Sequence, residues 1–73
     1  MLLPVVSGRE TIKALSKIGF LVIRQKGSHV MLEKRNEEVI KLTVPLHRSL
    51  KKGTLRRIIS DAGLTVNEFI TIL

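Results

Sequence analysis

Apolar residues recur at three-residue spacing near the start of the chain, at Ile12, Leu15 and Ile18. This spacing places them on one face of a helix. Ser7 lies three residues before Glu10, which is the spacing of an N-terminal capping box. Gly19 follows the last apolar position and can adopt the left-handed conformation that ends many helices. The pattern therefore predicts a first helix over about residues 8–18.

From Phe20 onward the apolar period changes to two residues, which is typical of β-strands. Strands are predicted over Phe20–Gln25, His29–Lys34 and Glu38–Val44. Turns are expected at Gly27-Ser28 and at residues 35–37, and Pro45 ends the third strand. Connections this short predict an antiparallel meander of three strands.

Alternation along the strands divides their side chains between the two faces of the sheet. The face predicted to meet the helices carries Leu21, Ile23, Val30, Leu32, Ile40, Leu42 and Val44. The opposite face is predicted to carry Val22, Arg24, His29, Met31, Glu33, Lys41 and Thr43. A slip of the middle strand by one residue would bury His29 instead.

Helical spacing returns in the last third of the chain, at Leu55, Ile58, Ile59 and Ala62, and Gly63 is expected to end this helix. Thr65 and Glu68 repeat the capping-box spacing and predict a short final helix that reaches Leu73. The predicted order is α-β-β-β-α plus a short C-terminal helix, with the helices on one face of a three-stranded antiparallel sheet. This is the topology of double-stranded-RNA-binding domains, in the α+β class.

The length of 73 residues predicts one domain, spanning residues 1–73. No Cys is present, which excludes disulfides and fits a cytoplasmic protein. Two His and few carboxylates argue against a structural zinc site. The apolar start is too short for a signal peptide, and no apolar run approaches the roughly 20 residues of a membrane helix. We therefore expect a soluble protein with no membrane partner.

Charge changes this picture most. Thirteen Lys and Arg against six Asp and Glu give a net charge of +7 and a pI near 10.7. A small domain this basic is typical of proteins that bind polyanions, above all nucleic acids. With two Phe and no Trp or Tyr, binding of single strands by stacked aromatic residues is poorly supported.

The cations fall in two groups. One is a stripe along the first helix, at Arg9, Lys13 and Lys17. The other gathers around the start of the second long helix, at Arg48, Lys51, Lys52, Arg56 and Arg57. A helix start already carries positive partial charge, so stability alone would favour acids there. The cluster, together with the free N–H groups of the helix start, predicts a phosphate-binding site. The stripe on the first helix could equally be an ordinary solvated face.

Four stretches, taken in order, resemble the HicA family of toxin ribonucleases, the small halves of HicAB toxin–antitoxin pairs. They are residues 6–8 with Gly19-Phe20, Lys26-Gly27-Ser28-His29, residues 44–47, and residues 52–56 running on to 62–64. The resemblance implies an endonuclease that cleaves mRNA with relaxed sequence preference, arrests translation and is held off by a HicB antitoxin. It also implies that the family's catalytic histidine is His29. His47 matches a recurrent position to which no role carries over.

A histidine after a turn is usually a surface residue, but cations surround this one in the sequence. We predict that His29 is a general acid or base on mRNA that is single-stranded or locally structured. Arg24, Lys26 or Lys41 would stabilise the phosphate, and Ser28 would shape the turn. No metal ion or other cofactor is expected. For His47 we expect a phosphate contact or a structural hydrogen bond before the helix, rather than a second acid or base, which would have to approach His29 across the sheet edge.

Two other classes of function remain open at this point. A non-catalytic module that binds double-stranded RNA would need only the basic surface, although such modules span about 16 base pairs and this chain shows no extra length for that. A protein-binding piece would use the same basic face to meet an acidic partner.

Overall fold

The computed structural model describes residues 2–73, and in this range the chain forms three helices and three strands. They are α1 (Gly8–Ser16), β1 (Leu21–Lys26), β2 (His29–Arg35), β3 (Val39–Pro45), α2 (Lys52–Asp61) and α3 (Val66–Ile72). The strands form one antiparallel sheet in the order β1-β2-β3. The predicted α-β-β-β-α fold with a short third helix is therefore confirmed. The first helix is shorter than predicted, because residues 17–19 form a turn.

A single apolar core lies between one face of the sheet and the helices. Alternate residues of β2 and β3 are buried there, including Val30, Leu32, Leu42 and Val44. They share one cluster with residues of α1, α2 and α3, among them Leu15, Leu55, Ile58 and Phe69. The intervening residues of the strands therefore point away from the helices. None of the helices in residues 2–73 has the length and apolarity that crossing a membrane requires.

Strand β1 departs from the predicted alternation. Leu21 and Ile23 were predicted to lie in the core, but they are 69% and 45% exposed. Val22, predicted on the opposite face, pairs with the buried Leu32 and lies on the helix side. The cause is a β-bulge at Ile23, where two steps along β1 match one step along β2.

The bulge is needed because the two ends of β1 fix which of its side chains face the helices, and strict alternation cannot satisfy both ends. Phe20, directly before β1, is fully buried, and this puts Val22 on the helix side, two residues on. At the other end, the turn pairs Gln25 with the buried Val30, which puts Gln25 on the helix side as well. An odd number of steps separates Val22 from Gln25, so strict alternation cannot satisfy both ends. One extra residue, Ile23, absorbs the difference.

The start of α1 packs directly against the backbone that follows β3. The Gly8 N–H donates to the His47 carbonyl at 2.9 Å. A Cβ atom at Gly8 would collide with the Pro45 carbonyl and crowd the Leu46 backbone. The glycine is therefore required by space and not by a positive φ angle, since its φ is not in the left-handed region.

Gly8→Ala should destabilise the fold by about 1–3 kcal/mol, because a rigid backbone group must move to admit the methyl group. Gly53→Ala is the matched control, since Gly53 also lies in the first turn of a helix but has open space around its Cβ position. It should be neutral or stabilise by up to about 1 kcal/mol. Urea unfolding of both variants measures the difference, and equal effects would contradict the close approach.

Capping boxes begin α1 and α3 as the sequence predicted. In α1 the Ser7 N–H donates to the Glu10 carboxylate at 2.9 Å, and the Glu10 N–H donates to the Ser7 hydroxyl at 3.0 Å. Hydrogen bonds with Ser7 lower the pKa of Glu10 below its usual value. The bond from the Ser7 backbone has the larger effect, and the bond with the Ser7 side chain adds to it.

Because this pKa is lower in the folded than in the unfolded chain, the ionised Glu10 stabilises the fold at neutral pH. That contribution is lost as the pH falls through the lowered pKa. Glu10→Gln should therefore reduce the melting temperature at pH 7, and the gap from wild type should narrow in acid. Thermal unfolding across this pH range tests the prediction. A gap that widens on acidification would contradict it.

Candidate active site and cationic surface

His29 is the first residue of β2 and lies at the end of the sheet where the first hairpin turns. It pairs with Lys26 of β1 on one side and with Pro45 of β3 on the other. Gly27 takes a φ of 58°, which allows the two-residue turn, and its carbonyl accepts from the Gln25 side chain at 3.0 Å. Val30 next to it is buried, so the exposed His29 belongs to the face away from the helices. The predicted face of His29 is correct.

A shallow depression of about 350 Å³ lies on this open face. It is lined by Arg24, Lys26, His29, Met31 and Thr43, which come from all three strands. The register explains this grouping, because Met31 lies between Arg24 on β1 and Thr43 on β3. The depression thus combines an imidazole with two cations over a largely apolar floor. Such a set can exchange a proton and stabilise negative charge in the same place.

Two other residues predicted for this site, Lys41 and Ser28, do not line the depression. Lys41 pairs with Glu33, four residues along β3 from Pro45, or about 13 Å from the level of His29. It shares the open face but does not line the depression. Ser28 lies in the turn, and its carbonyl accepts from the Leu46 N–H at 2.7 Å. The Ser28 backbone therefore ties the turn to the segment after β3.

His47 lies in that same segment, one residue beyond Leu46, and its side chain is exposed. Its backbone carbonyl accepts from Gly8 N–H, as described above. The segment is held further along by the Leu50 N–H, which donates to the Val6 carbonyl at 2.8 Å. His47 and the His29 turn are therefore joined through neighbouring backbone contacts, and His47 does not line the depression.

The predicted cationic groups are exposed. Arg9, Lys13 and Lys17 lie along α1, and Arg48, Lys51, Lys52, Arg56 and Arg57 surround the start of α2. Lys51 occupies the N-cap position without a side-chain cap bond, and the first turn of α2 has no acidic residue. The N–H groups there are thus left without a carboxylate or hydroxyl cap, which favours an external anion.

Arg57 differs from its neighbours because its guanidinium group has partners within the chain. Nη2 donates to the Thr43 carbonyl at 3.3 Å, and Nη1 pairs with the Asp61 carboxylate at 3.3 Å. Arg57 therefore joins α2 to the outer edge of β3, a role that the sequence did not reveal. A cation engaged in this way has less freedom to contact a ligand.

Sequence reasoning placed Met31 and Thr43 on the correct face but did not assign them to the site. For Met31 the signal was present, because the two-residue turn at Gly27-Ser28 pairs it with Arg24. Thr43 depends instead on the register of β3, which pairs it with Met31. No cluster of three or more His, Asp or Glu side chains suited to a metal ion occurs within residues 2–73.

The fold and site define a small basic α+β domain with double-stranded-RNA-binding-domain topology and a histidine among cations on the open face of its sheet. The sequence model of one protein family, the HicA toxin of bacterial toxin–antitoxin systems, matches residues 8–64. The chain therefore belongs to this family. The solved toxin–antitoxin complex from Streptococcus pneumoniae contains a similar chain, with 38% identity and a TM-score of 0.63. The match covers 81% of this chain and 98% of that one. No curated protein matches the sequence.

Proposed function

We propose that the protein is the toxin of a toxin–antitoxin pair and acts as an endoribonuclease on mRNA without a metal ion. Cleavage in the cytoplasm would stop translation and growth until a HicB-type antitoxin neutralises the toxin. Family membership supports the toxin role. The observation that supports catalysis is the depression in which the exposed His29 lies with Arg24 and Lys26.

RNA supplies its own nucleophile, the 2′-hydroxyl group. Its oxygen attacks the adjacent phosphorus, the bond to the 5′-oxygen breaks, and a 2′,3′-cyclic phosphate and a 5′-hydroxyl remain. His29 either takes the proton from the 2′-hydroxyl or gives one to the leaving 5′-oxygen, and water handles the other transfer. Each such proton transfer by a side chain typically contributes 10²–10⁴-fold to the rate.

Arg24 and Lys26 supply the electrostatic part of the reaction. Negative charge grows on the phosphate oxygens as the 2′-oxygen attacks, and both cations line the same depression as His29. Lys41 lies further along the sheet and would contact the RNA backbone beyond the cleaved bond. Ser28 holds the turn in place through its backbone and does not take part in proton transfer.

The remaining cations would hold the RNA backbone. The stripe on α1 and the cluster at the start of α2 carry exposed side chains with no carboxylate partner, Arg57 excepted. Phosphate contacts of this kind position RNA without reading its sequence. This arrangement suits a nuclease with relaxed sequence preference.

His29→Ala should lower the rate of mRNA cleavage by about 10²–10⁴-fold while leaving RNA affinity within a few-fold, because His29 contributes one of many contacts. Cleavage of a long transcript by the purified variant, with growth after tight induction, measures this. His47→Ala is the matched control, since it removes the other exposed imidazole, and we expect it to retain most of the cleavage rate.

Three outcomes separate the alternatives. Equal cleavage by wild type and a folded His29→Ala would show that His29 is not the catalyst and would direct attention to His47. RNA binding without cleavage by the wild type would leave a non-catalytic RNA-binding module. Cleavage that disappears in chelator and returns with Mg²⁺ would contradict the metal-independent reaction.

RNA affinity should fall steeply with salt, since each phosphate contact releases counterions. Lys52→Ala should reduce the slope of log affinity against log salt by about 1, which corresponds to one lost phosphate contact. Arg57→Ala should change it less, because Arg57 is paired with Asp61 and Thr43. Fluorescence titration across salt concentrations provides the measurement. A flat dependence would contradict the electrostatic interface.

A further inference from the structure

The outer edge of β1 is open. This strand lies at one side of the sheet, all six of its residues are exposed, and β2 is its only partner within residues 2–73. Leu21, Val22 and Ile23 form an apolar run that is 69%, 54% and 45% exposed. An exposed apolar edge strand offers its unpaired N–H and C=O groups to another strand.

The opposite edge of the sheet has a backbone group that is already bonded. There, the Arg57 guanidinium donates a hydrogen bond to the Thr43 carbonyl on the outer side of β3. Val39, at the start of β3, is 54% exposed, but its neighbour Ile40 is partly buried against the core. The two edges thus differ, because within residues 2–73 the outer side of β1 has no such bond.

A groove of about 310 Å³ lies between β1 and α1 and continues this open edge on the helix side. Four side chains give it an apolar floor: Ile12, Val22, Val30 and Leu46. Three polar side chains complete the lining: Arg9, Lys13 and Gln25. The bulge at Ile23 explains why Val22 and Gln25 both face this groove.

We propose that an extended segment of the antitoxin partner adds to the sheet as a fourth strand beside β1. The side chains of an added strand alternate between the two faces of the sheet. Those on the helix side would be apolar and enter the groove over Val22. Those on the open side would be acidic and pair with Arg24 and Lys26. This inference rests on the proposed function, which supplies the antitoxin.

The same geometry provides a route to inhibition. Arg24 and Lys26 line the depression that contains His29, so carboxylates paired with them would occupy the place of the RNA phosphate. Main-chain hydrogen bonds along β1 would supply affinity, and the groove would supply selectivity for apolar residues at alternate positions. Inhibition would therefore need no direct contact with the imidazole.

A protein segment fits this surface better than RNA or a second copy of the chain. Both Phe residues are fully buried and no Trp or Tyr is present, so the edge offers no aromatic platform for bases. A second copy would bring another +7 charge against Arg24 and Lys26. β1 contains two cations and no acid, so an acidic strand is complementary to it.

The test uses the full chain and a synthetic eight-residue peptide of alternating Val and Glu, acetylated and amidated at its ends. Amide hydrogen exchange should show new protection in Leu21–Lys26 when the peptide binds. Val22→Asp should weaken binding by about tenfold or more, because it places a carboxylate in the groove that receives the apolar side chains. Val39→Asp is the matched control, equally exposed on the other edge strand, and should change affinity less than twofold, roughly.

The inference fails if the peptide does not bind, if a Val/Lys peptide binds as well, or if the two Asp variants weaken binding equally. It also fails if the free protein dimerises with β1 protected, or if a single-stranded RNA protects the groove in place of the peptide. Cleavage of RNA without peptide is measured in parallel. Binding through β1 without cleavage would refute only the catalytic proposal, and cleavage without peptide binding would refute only the edge-strand proposal.

Discussion

Two buried side chains, Phe20 directly before β1 and Val30 near the start of β2, constrain the rest of this structure. Phe20 must enter the core as the chain leaves α1, and Val30 must enter it as the chain leaves the first turn. The short hairpin between them permits both only with an extra residue in β1. The resulting bulge turns Val22 toward α1 and Arg24 toward His29, so one local compromise shapes both the groove and the depression.

The sequence was sufficient to predict the elements and their order, because capping boxes and glycines mark the helix ends and the period of apolar residues distinguishes strands from helices. It also placed His29 correctly, since the two-residue turn leaves little freedom in the register of β2. It failed for Leu21, Val22 and Ile23, because three consecutive apolar residues fit either phase of a strand. The parity argument from Phe20 and Val30 becomes visible only when both are known to be buried.

Backbone hydrogen bonds between distant parts of the chain hold the turn that precedes His29. The turn that precedes it is held by Ser28 to Leu46, and the next residue, His47, holds the start of α1 through Gly8. Long-range hydrogen bonds of this kind were beyond sequence reasoning, because each joins residues far apart in the chain. They fix the hairpin relative to the helices, and with it the backbone from which the His29 side chain extends.

Most of the cationic side chains in the described part of the chain lie on the surface of the molecule and have no acidic partner there. Within residues 2–73 the two ion pairs are Arg35 with Glu33 and Arg57 with Asp61, so most of the cations remain without carboxylate partners. Self-repulsion of that surface costs stability, and folding alone gives no reason to maintain it. A polyanionic substrate relieves the repulsion, and so does an acidic partner. If the surface meets both in turn, as we propose, an open strand edge suits it, because a partner there would pair with the backbone and block the phosphate position at once.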